Sequence, residues 1–232
     1  MFFSKFDDIV ETGISAKTES DKPITSRIFN FTSYFTVERT GLSKSELSAK
    51  RVLDLFVALI AILLLWPILL VAAIAIKLDS KGPVIFKQRR NGLNGKEFVV
   101  LKFRTMTVLE DGPNVTQASR GDSRITRIGK FLRRSSIDEL PQLFNVLKGD
   151  MSVVGPRPHP VSLDDKYRVL IADYDCRFHV KPGLTGWAQI NGLRGETATV
   201  QQMAQRIRAD VLYINNWSVS LDAPGQIRTP DP

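Results

Sequence analysis

LFVALIAILLLWPILLVAAIAI, Leu55 to Ile76, is the stretch that decides the architecture of this chain. It holds 22 residues without a charged side chain, and as a straight helix it would extend about 33 Å, enough to cross the hydrocarbon core of a bilayer. It starts too far from Met1, and runs too long, for an ordinary secretory leader, and no cleavage signal is evident. Pro67 falls near its middle, where the missing N–H and the ring clash kink a helix. Basic residues flank both ends: Lys44, Lys50 and Arg51 precede the run, and Lys77, Lys81, Lys87, Arg89 and Arg90 follow it. Both ends therefore favour the cytoplasmic face. A helix bent at Pro67 that enters and leaves on one side reconciles these facts; a proline-kinked true span is the alternative.

With 232 residues, 43% of them hydrophobic, the chain can build one medium domain plus appendages. A formal charge of +8 predicts an anionic partner, which could be nucleic acid, anionic lipid or a phosphorylated substrate. Cys176 is the single cysteine, which excludes an intrachain disulfide framework and a cysteine zinc cluster and fits cytosolic exposure. It reads as a small core or surface residue.

Beyond the apolar run, the most informative segment is Ser136 to Pro158, SIDELPQLFNVLKGDMSVVGPRP. Leu140, Leu143, Phe144 and Leu147 recur at helical spacing, Lys148 sits in the last turn and Gly149 supplies the stop. Asp138 and Glu139 then open a short amphipathic helix, where acids suit the dipole and Ser136 with Glu139 fits a capping box. Adjacent carboxylates at a helix start, followed by a rigid arginine loop, also suit phosphoryl chemistry. In that loop the prolines of Gly155-Pro156-Arg157-Pro158 fix the backbone, so Arg157 is presented with little entropy to lose. A guanidinium can grip phosphate oxygens with two parallel hydrogen bonds. A structural turn with an incidental arginine is the plain alternative.

Other segments read more simply. Val84 to Gln88 and Glu97 to Phe103 form two short strands separated by Asn91-Gly92 and Asn94-Gly95, which predicts a hairpin. Ser123 to Arg134 places Ile125, Ile128 and Leu132 on one helical stripe and Arg127, Lys130 and Arg134 on another, giving a basic amphipathic helix suited to an anionic membrane surface or an ordinary solvated face. His159 and His179 are not at metal-ligand spacing and read as surface or supporting groups. Lys181 to Gly195, KPGLTGWAQINGLRG, has glycines that permit close approach of another element or a ligand. Val200, Met203, Ala204, Ile207 and Val211 trace a core-facing helix. Residues 1–48 form a polar extension with weak periodicity around Ile28 to Val37, and the last residues, APGQIRTPDP, cannot form a helix.

DELPQLFNVLKGDMSVVGPRP closely resembles the signature of the bacterial sugar transferases, the monotopic phosphoglycosyl transferases that load a polyprenyl phosphate carrier. LKFRTM around Lys102 and Arg104, and the PGLTGWAQING segment, resemble further family boxes in the same order, and the resemblance covers roughly Ser48 to Asp222. Lys50, Arg51, Asp54 and Pro67 match the family's Lys-Arg entry, early acid and mid-helix proline, although members often carry serine where this chain has Trp66. The resemblance implies an α+β, mainly helical fold: a re-entrant, proline-kinked membrane helix hairpin joined to a compact cytosolic catalytic domain with a small β-hairpin. It divides the chain into an extension at 1–48, a membrane helix at 49–80, a catalytic domain at 81–222 and an atypical tail at 223–232, where members usually continue into another apolar helix. The tail raises truncation, and the chain resembles the short form of the family.

The resemblance also implies the chemistry: transfer of a sugar-1-phosphate from a UDP-sugar to undecaprenyl phosphate with release of UMP, on the cytoplasmic face of a bacterial plasma membrane. Asp138 would be the nucleophile and Glu139 a ligand of Mg2+, with Lys102, Arg104, Arg133 and Arg157 binding substrate. The GETAT run, Gly195 to Thr199, resembles the branch that handles UDP-glucose for exopolysaccharide synthesis. Two rivals are a membrane-tethered nucleic-acid regulator and a non-enzymatic scaffold. The first lacks a recognisable binding module and has only interrupted basic runs, so no nucleic-acid partner is expected.

Overall fold

Ser43 begins the long helix. Its hydroxyl accepts from the Glu46 N–H at 3.3 Å, while the Glu46 carboxylate accepts from the Ser43 N–H at 2.8 Å, a reciprocal capping box. Helix α1, Lys44–Asp79, therefore starts ahead of the segment expected at 49–80 and takes in the end of the expected polar extension. A computed structural model describes residues 43–107, 121–195, 197, 199–218 and 222. The expectations for residues 1–42, for Glu196 and Ala198 of the GETAT run and for the tail at 223–232 lie outside the described residues. Helix α1 has 36 residues, continues through Pro67 as one element, and is long and apolar enough to cross a membrane. Only a thin stripe of it is buried, Lys50, Asp54, Ala58, Ala72 and Ile76, whereas Phe56, Leu63, Leu64, Trp66 and Val71 are exposed.

The stripe packs on two apolar clusters. Ala58 meets Val100, Leu143, Val146 and Met151; Ala72 and Ile76 meet Phe103 and Leu132. Val100 of the first cluster and Phe103 of the second come from a hairpin of β1, Ile85–Asn91, and β2, Glu97–Phe103, paired antiparallel from Ile85 opposite Phe103 to Asn91 opposite Glu97. The hairpin is as expected, with β1 running past Gln88 to Asn91. Only the second Asn-Gly pair makes the turn: Asn94 and Gly95 have φ of 56° and 71°, while Gly92 is extended.

Helix α2, Arg127–Ser135, is capped by the Thr126 hydroxyl, which accepts from the Gly129 N–H at 2.9 Å. It begins later than the stripe from Ser123 suggested, because Ile125 bridges Met106 and Thr126 donates its N–H to the Thr105 carbonyl. Leu132 is buried; Arg127, Lys130 and Arg134 face outward together with Phe131, 62% exposed.

Helix α3, Gln142–Lys148, ends on Gly149 at φ 97°, the stop that the sequence announced. Its buried face is Gln142, Leu143, Asn145 and Val146, so Phe144, expected inside, points outward. Asn145 takes the inner place because its side chain completes the edge of β2, accepting from the Leu101 N–H and donating to the Val99 carbonyl. Strand β3, Ser152–Val154, pairs in parallel with β4, Gly183–Thr185. Here the glycine-rich segment approaches another element of the protein: a Cβ on Gly183 would stand 2.1 Å from the Gly155 nitrogen, and one on Gly186 would stand 2.1 Å from the Gly155 carbonyl oxygen.

Helix α4, Val161–Arg168, and the short α5, Trp187–Ile190, lead to α6, Val200–Asn215. As expected, Met203, Ile207 and Val211 are core residues, packed with Tyr167, Tyr174 and Phe178. Ala209, Tyr213 and Ile214 bury a second face with Trp187 and Trp217. The described protein is thus mainly helical, with little strand and one long apolar helix.

Candidate functional site

The two acids do not open α3. Ile137–Glu139 form a 3-10 turn in which the Glu139 and Leu140 N–H groups bond to carbonyls three residues back. Pro141, which has no N–H, cannot make the bond to Ile137 that would continue an α-helix backward. The expected Ser136–Glu139 capping box is absent because both side chains take distant partners. Ser136 is left-handed at φ 61°, and its Oγ accepts from Arg194 at 2.8 Å. The Glu139 carboxylate is engaged elsewhere.

That engagement is the centre of the site. Glu139, 7% exposed, takes two parallel hydrogen bonds from the Arg157 guanidinium, one at 2.9 Å, and a third from Lys102 Nζ at 3.0 Å. Three distant segments therefore meet: Lys102 from β2, Glu139 from the 3-10 turn and Arg157 from the proline-flanked loop. The loop is held in turn by arginines, since Arg177 donates to the Arg157 carbonyl and Arg90 donates to the Pro158 carbonyl at 2.7 Å.

Electrostatics divides the two acids. Burial alone would raise the Glu139 carboxyl, but the bonds and charges of Arg157 and Lys102 outweigh it and hold the group well below the usual carboxylate range. Asp138, partly exposed on the same turn, is raised: burial acts first, Lys102 opposes it and the neighbouring Glu139 charge adds to it. Burial and the Arg157 charge push Lys102 down to about 8 despite Glu139. One carboxylate is thus held ionised by cations while its neighbour is raised, a pattern common at functional sites.

Among the expected binding residues, Lys102 and Arg157 converge, and Arg133 bears on Asp138 through its charge. Arg104 lies elsewhere. It is buried and donates to the carbonyls of Ser80 and Lys81 at 2.7 and 2.6 Å, closing the C-terminal end of α1, a task that an arginine fork suits better than solvent does. Lys50, Arg51 and Asp54 anchor the other end: Lys50 pairs with Asp222 at 2.5 Å, Arg51 donates to the Val146 and Leu147 carbonyls, and Asp54 accepts from Ser152 Oγ and the Val153 N–H. The partners of Arg51 and Asp54 lie on α3 and β3, the two elements between the acids and the Arg157 loop. Pro67 lies far along α1, between exposed neighbours Trp66 and Ile68.

The sequence reading missed a buried polar cluster behind Arg157. Arg177 lies 3.1 Å from Asp210; Tyr174 and Asn91 donate to Asp164 at 2.6 and 2.8 Å; and Tyr174 meets His159 Nδ1 at 3.0 Å. Of the two places open to it, surface or supporting, His159 takes the supporting one, buried against Tyr174 and Arg177; His179 is exposed. Burial and the surrounding arginines hold the His159 imidazole well below its ordinary value. A signal was present: Asp210 falls on the buried stripe of α6 between Ile207 and Ile214, and a charge there demands a partner.

Among the described residues no group of three or more His, Cys, Asp or Glu could hold a metal ion. The Glu139 oxygens expected to hold Mg2+ are bonded to Arg157 and Lys102, and Asp138 is the neighbouring carboxylate; Mg2+ binds through one or two carboxylates plus phosphates and water.

Comparison with known proteins identifies the family. The family model described as bacterial sugar transferase matches residues 45–230, beyond Ser48–Asp222 at both ends. The chain is 56% identical over 180 residues to a UDP-glucose:undecaprenyl-phosphate glucose-1-phosphate transferase of Caulobacter vibrioides, covering 78% of the chain and 67% of that protein. Proteins of the same name from Klebsiella pneumoniae and Escherichia coli are 57% and 52% identical over 75% and 79% of the chain, which spans only 37% and 39% of their lengths. The signature around the acids, the convergence of Lys102 and Arg157 on Glu139, and these matches agree: the chain belongs to the bacterial sugar transferase family.

Proposed function

We propose that this chain transfers a sugar-1-phosphate, with glucose-1-phosphate the first candidate, from a UDP-sugar to undecaprenyl phosphate, releasing UMP at the cytoplasmic face of a bacterial plasma membrane. The observation that carries the proposal is the cation-locked Glu139 beside the raised, partly exposed Asp138. The names of the Caulobacter, Klebsiella and Escherichia relatives support the donor and acceptor.

In this mechanism an Asp138 carboxylate oxygen attacks the sugar-proximal phosphorus. The bond from that phosphorus to the UMP oxygen breaks, and UMP leaves with the electron pair. Undecaprenyl phosphate then attacks the same phosphorus, the acyl-phosphate bond breaks, and Asp138 returns as a carboxylate. Lys102, Arg133 and Arg157 offset the charge gathered around the diphosphate. Glu139 orients Lys102 and Arg157, and with Asp138 would hold Mg2+, which supplies Lewis-acid neutralisation of the phosphates.

We read α1 as re-entrant. The entry residues Lys50, Arg51 and Asp54 and the exit residues Asp79 and Ser80 bond to the same body, Asp79 through the Ile128 N–H and Ser80 through Arg104. A straight span would part these ends by a hydrocarbon core of about 30 Å. Cysteines placed at exposed Ser45 and Leu78, in a Cys176→Ser background, are expected to react with an impermeant maleimide from the cytoplasmic side alike; labelling from opposite sides would establish a true span.

The test of the reaction is UMP release from UDP-glucose by detergent-solubilised protein with Mg2+ and undecaprenyl phosphate. Lipid-linked sugar is the expected product; silence with every UDP-sugar, from folded protein, would overturn the proposal. Activity is expected to fall on both sides of neutrality. On the acid side it is lost as the pH drops through the raised Asp138 value, above the ordinary 3.8, because the nucleophile must be ionised. On the alkaline side it declines near pH 8 as Lys102 loses its proton. A Lys102→Met variant should lose the alkaline limb together with much of the activity.

A further inference from the structure

Arg194 stands beside the turn that carries the acids. Its guanidinium donates to Ser136 Oγ at 2.8 Å, a contact between residues 58 apart in sequence, and Ser136 lies two residues before Asp138. The loop bearing Arg194 is held at its backbone. Arg206 of α6 donates Nε to the Leu193 carbonyl and a terminal nitrogen to the Gly195 carbonyl, both at 3.0 Å. Gly192 and Gly195 turn the chain on either side at φ +80° and +119°, each with nothing within 4 Å of where a Cβ would stand. The carbonyls are tethered, while the Arg194 side chain is exposed.

Among the described residues this guanidinium meets no carboxylate; the Ser136 hydroxyl is its hydrogen-bond partner. A neutral hydroxyl is a weak acceptor for a permanent cation, and a phosphate oxygen is a stronger one with the fork geometry that arginine favours. A phosphate presented to Asp138 arrives two residues along from the hydroxyl that Arg194 already touches. We propose that Arg194 is a phosphate-binding residue of this site, exchanging Ser136 Oγ for an oxygen of the bound phosphate. Arg194 then adds a cation from a fourth segment to Lys102, Arg133 and Arg157. This role rests on the reaction proposed above. The phosphate belongs either to the nucleotide-sugar diphosphate or to the polyprenyl monophosphate.

Calorimetric titration separates those sources and requires no turnover. UDP-glucose and a short-chain polyprenyl phosphate are titrated into the 232-residue chain in detergent, as wild type and as Arg194→Ala, Arg194→Lys and Ser136→Ala. Arg194→Ala is expected to weaken one of the two ligands by roughly tenfold, the effect of losing one hydrogen bond to a charged group, and Arg194→Lys to restore part of it. Ser136→Ala should bind as tightly as wild type, since it removes only the resting contact. Weakening confined to UDP-glucose assigns the diphosphate, and weakening confined to the lipid assigns the acceptor. Unchanged binding of both ligands in Arg194→Ala, or equal weakening in Ser136→Ala, would reduce Arg194 to a loop tether and overturn the inference. Wild-type turnover, measured separately, decides the proposed reaction itself.

Discussion

Asparagine at position 138 is expected to abolish UMP release and lipid-linked product together, by on the order of 10⁴-fold or more, as removal of a covalent nucleophile does. The amide keeps the shape of the side chain but loses the anionic oxygen that would bond to phosphorus. The fold should not suffer. The 3-10 turn at Ile137–Glu139 is closed by backbone bonds, and its buried acid, Glu139, keeps its partners Lys102 and Arg157. The stability sign runs the other way from the activity. A folded-state value raised above the ordinary 3.8 means that the ionised Asp138 opposes folding at neutral pH, so Asp138→Asn should melt no earlier than wild type. Incubation with donor alone should leave a sugar-phosphate adduct on the wild-type chain and none on the variant. Full turnover by Asp138→Asn would remove the nucleophile from this position.

Arg177→Met is expected to be the most damaging substitution for stability, by about 3–5 kcal/mol, because it deletes one partner of a buried charge cluster. Arg177 is 3% exposed, lies 3.1 Å from Asp210 and 3.9 Å from Asp164, and donates to the Arg157 carbonyl. Its loss leaves two buried carboxylates with less compensation. Burial already pushes Asp210 up to about 6 against the pull of Arg177 and Arg206, and without Arg177 it rises further. The penalty should therefore be smaller at about pH 5, where Asp210 is protonated, than at about pH 8, and Asp210→Asn should relieve part of it. Chemical denaturation at both pH values checks this; a pH-independent loss would point to a packing defect instead of a charge defect.

How much of this was readable beforehand depends on the range of the forces involved. The apolar run at Leu55–Ile76, the Asn94-Gly95 turn, the Gly149 stop and the Met203–Ile207–Val211 stripe are written in local periodicity and backbone preference, and each appears where the sequence placed it. The adjacency of Asp138, Glu139 and the proline-flanked Arg157 was legible as motif. Lys102 and Arg104 would share one face of a continued strand, so that Lys102 reaches Glu139 while Arg104 turns to the end of α1 depends on β2 ending at Phe103 and on the packing of α1, which no local window contains. The capping box failed because a distant cation outbid the nearby N–H for the Glu139 carboxylate. Phe144 looked like a core residue by hydrophobicity, yet Asn145 took the inner position because it alone could satisfy the β2 edge. His159 was left between a surface and a supporting place, because the partners that decide it, Tyr174 and Arg177, are brought in by tertiary folding.

The two grips on α1 carry an evolutionary consequence. Arg51 and Asp54 clasp one end and Asp79 and Ser80 the other, with a long stretch of exposed apolar side chains between them. Each residue of a helix advances the chain by about 1.5 Å and rotates it by about 100°. Inserting or deleting one residue between the clasps would swing one set of partners away from its groove while the other stayed seated. The segment should therefore drift freely in composition across related sequences while its length stays quantised, so that an alignment gap inside it marks a protein whose anchors have also changed.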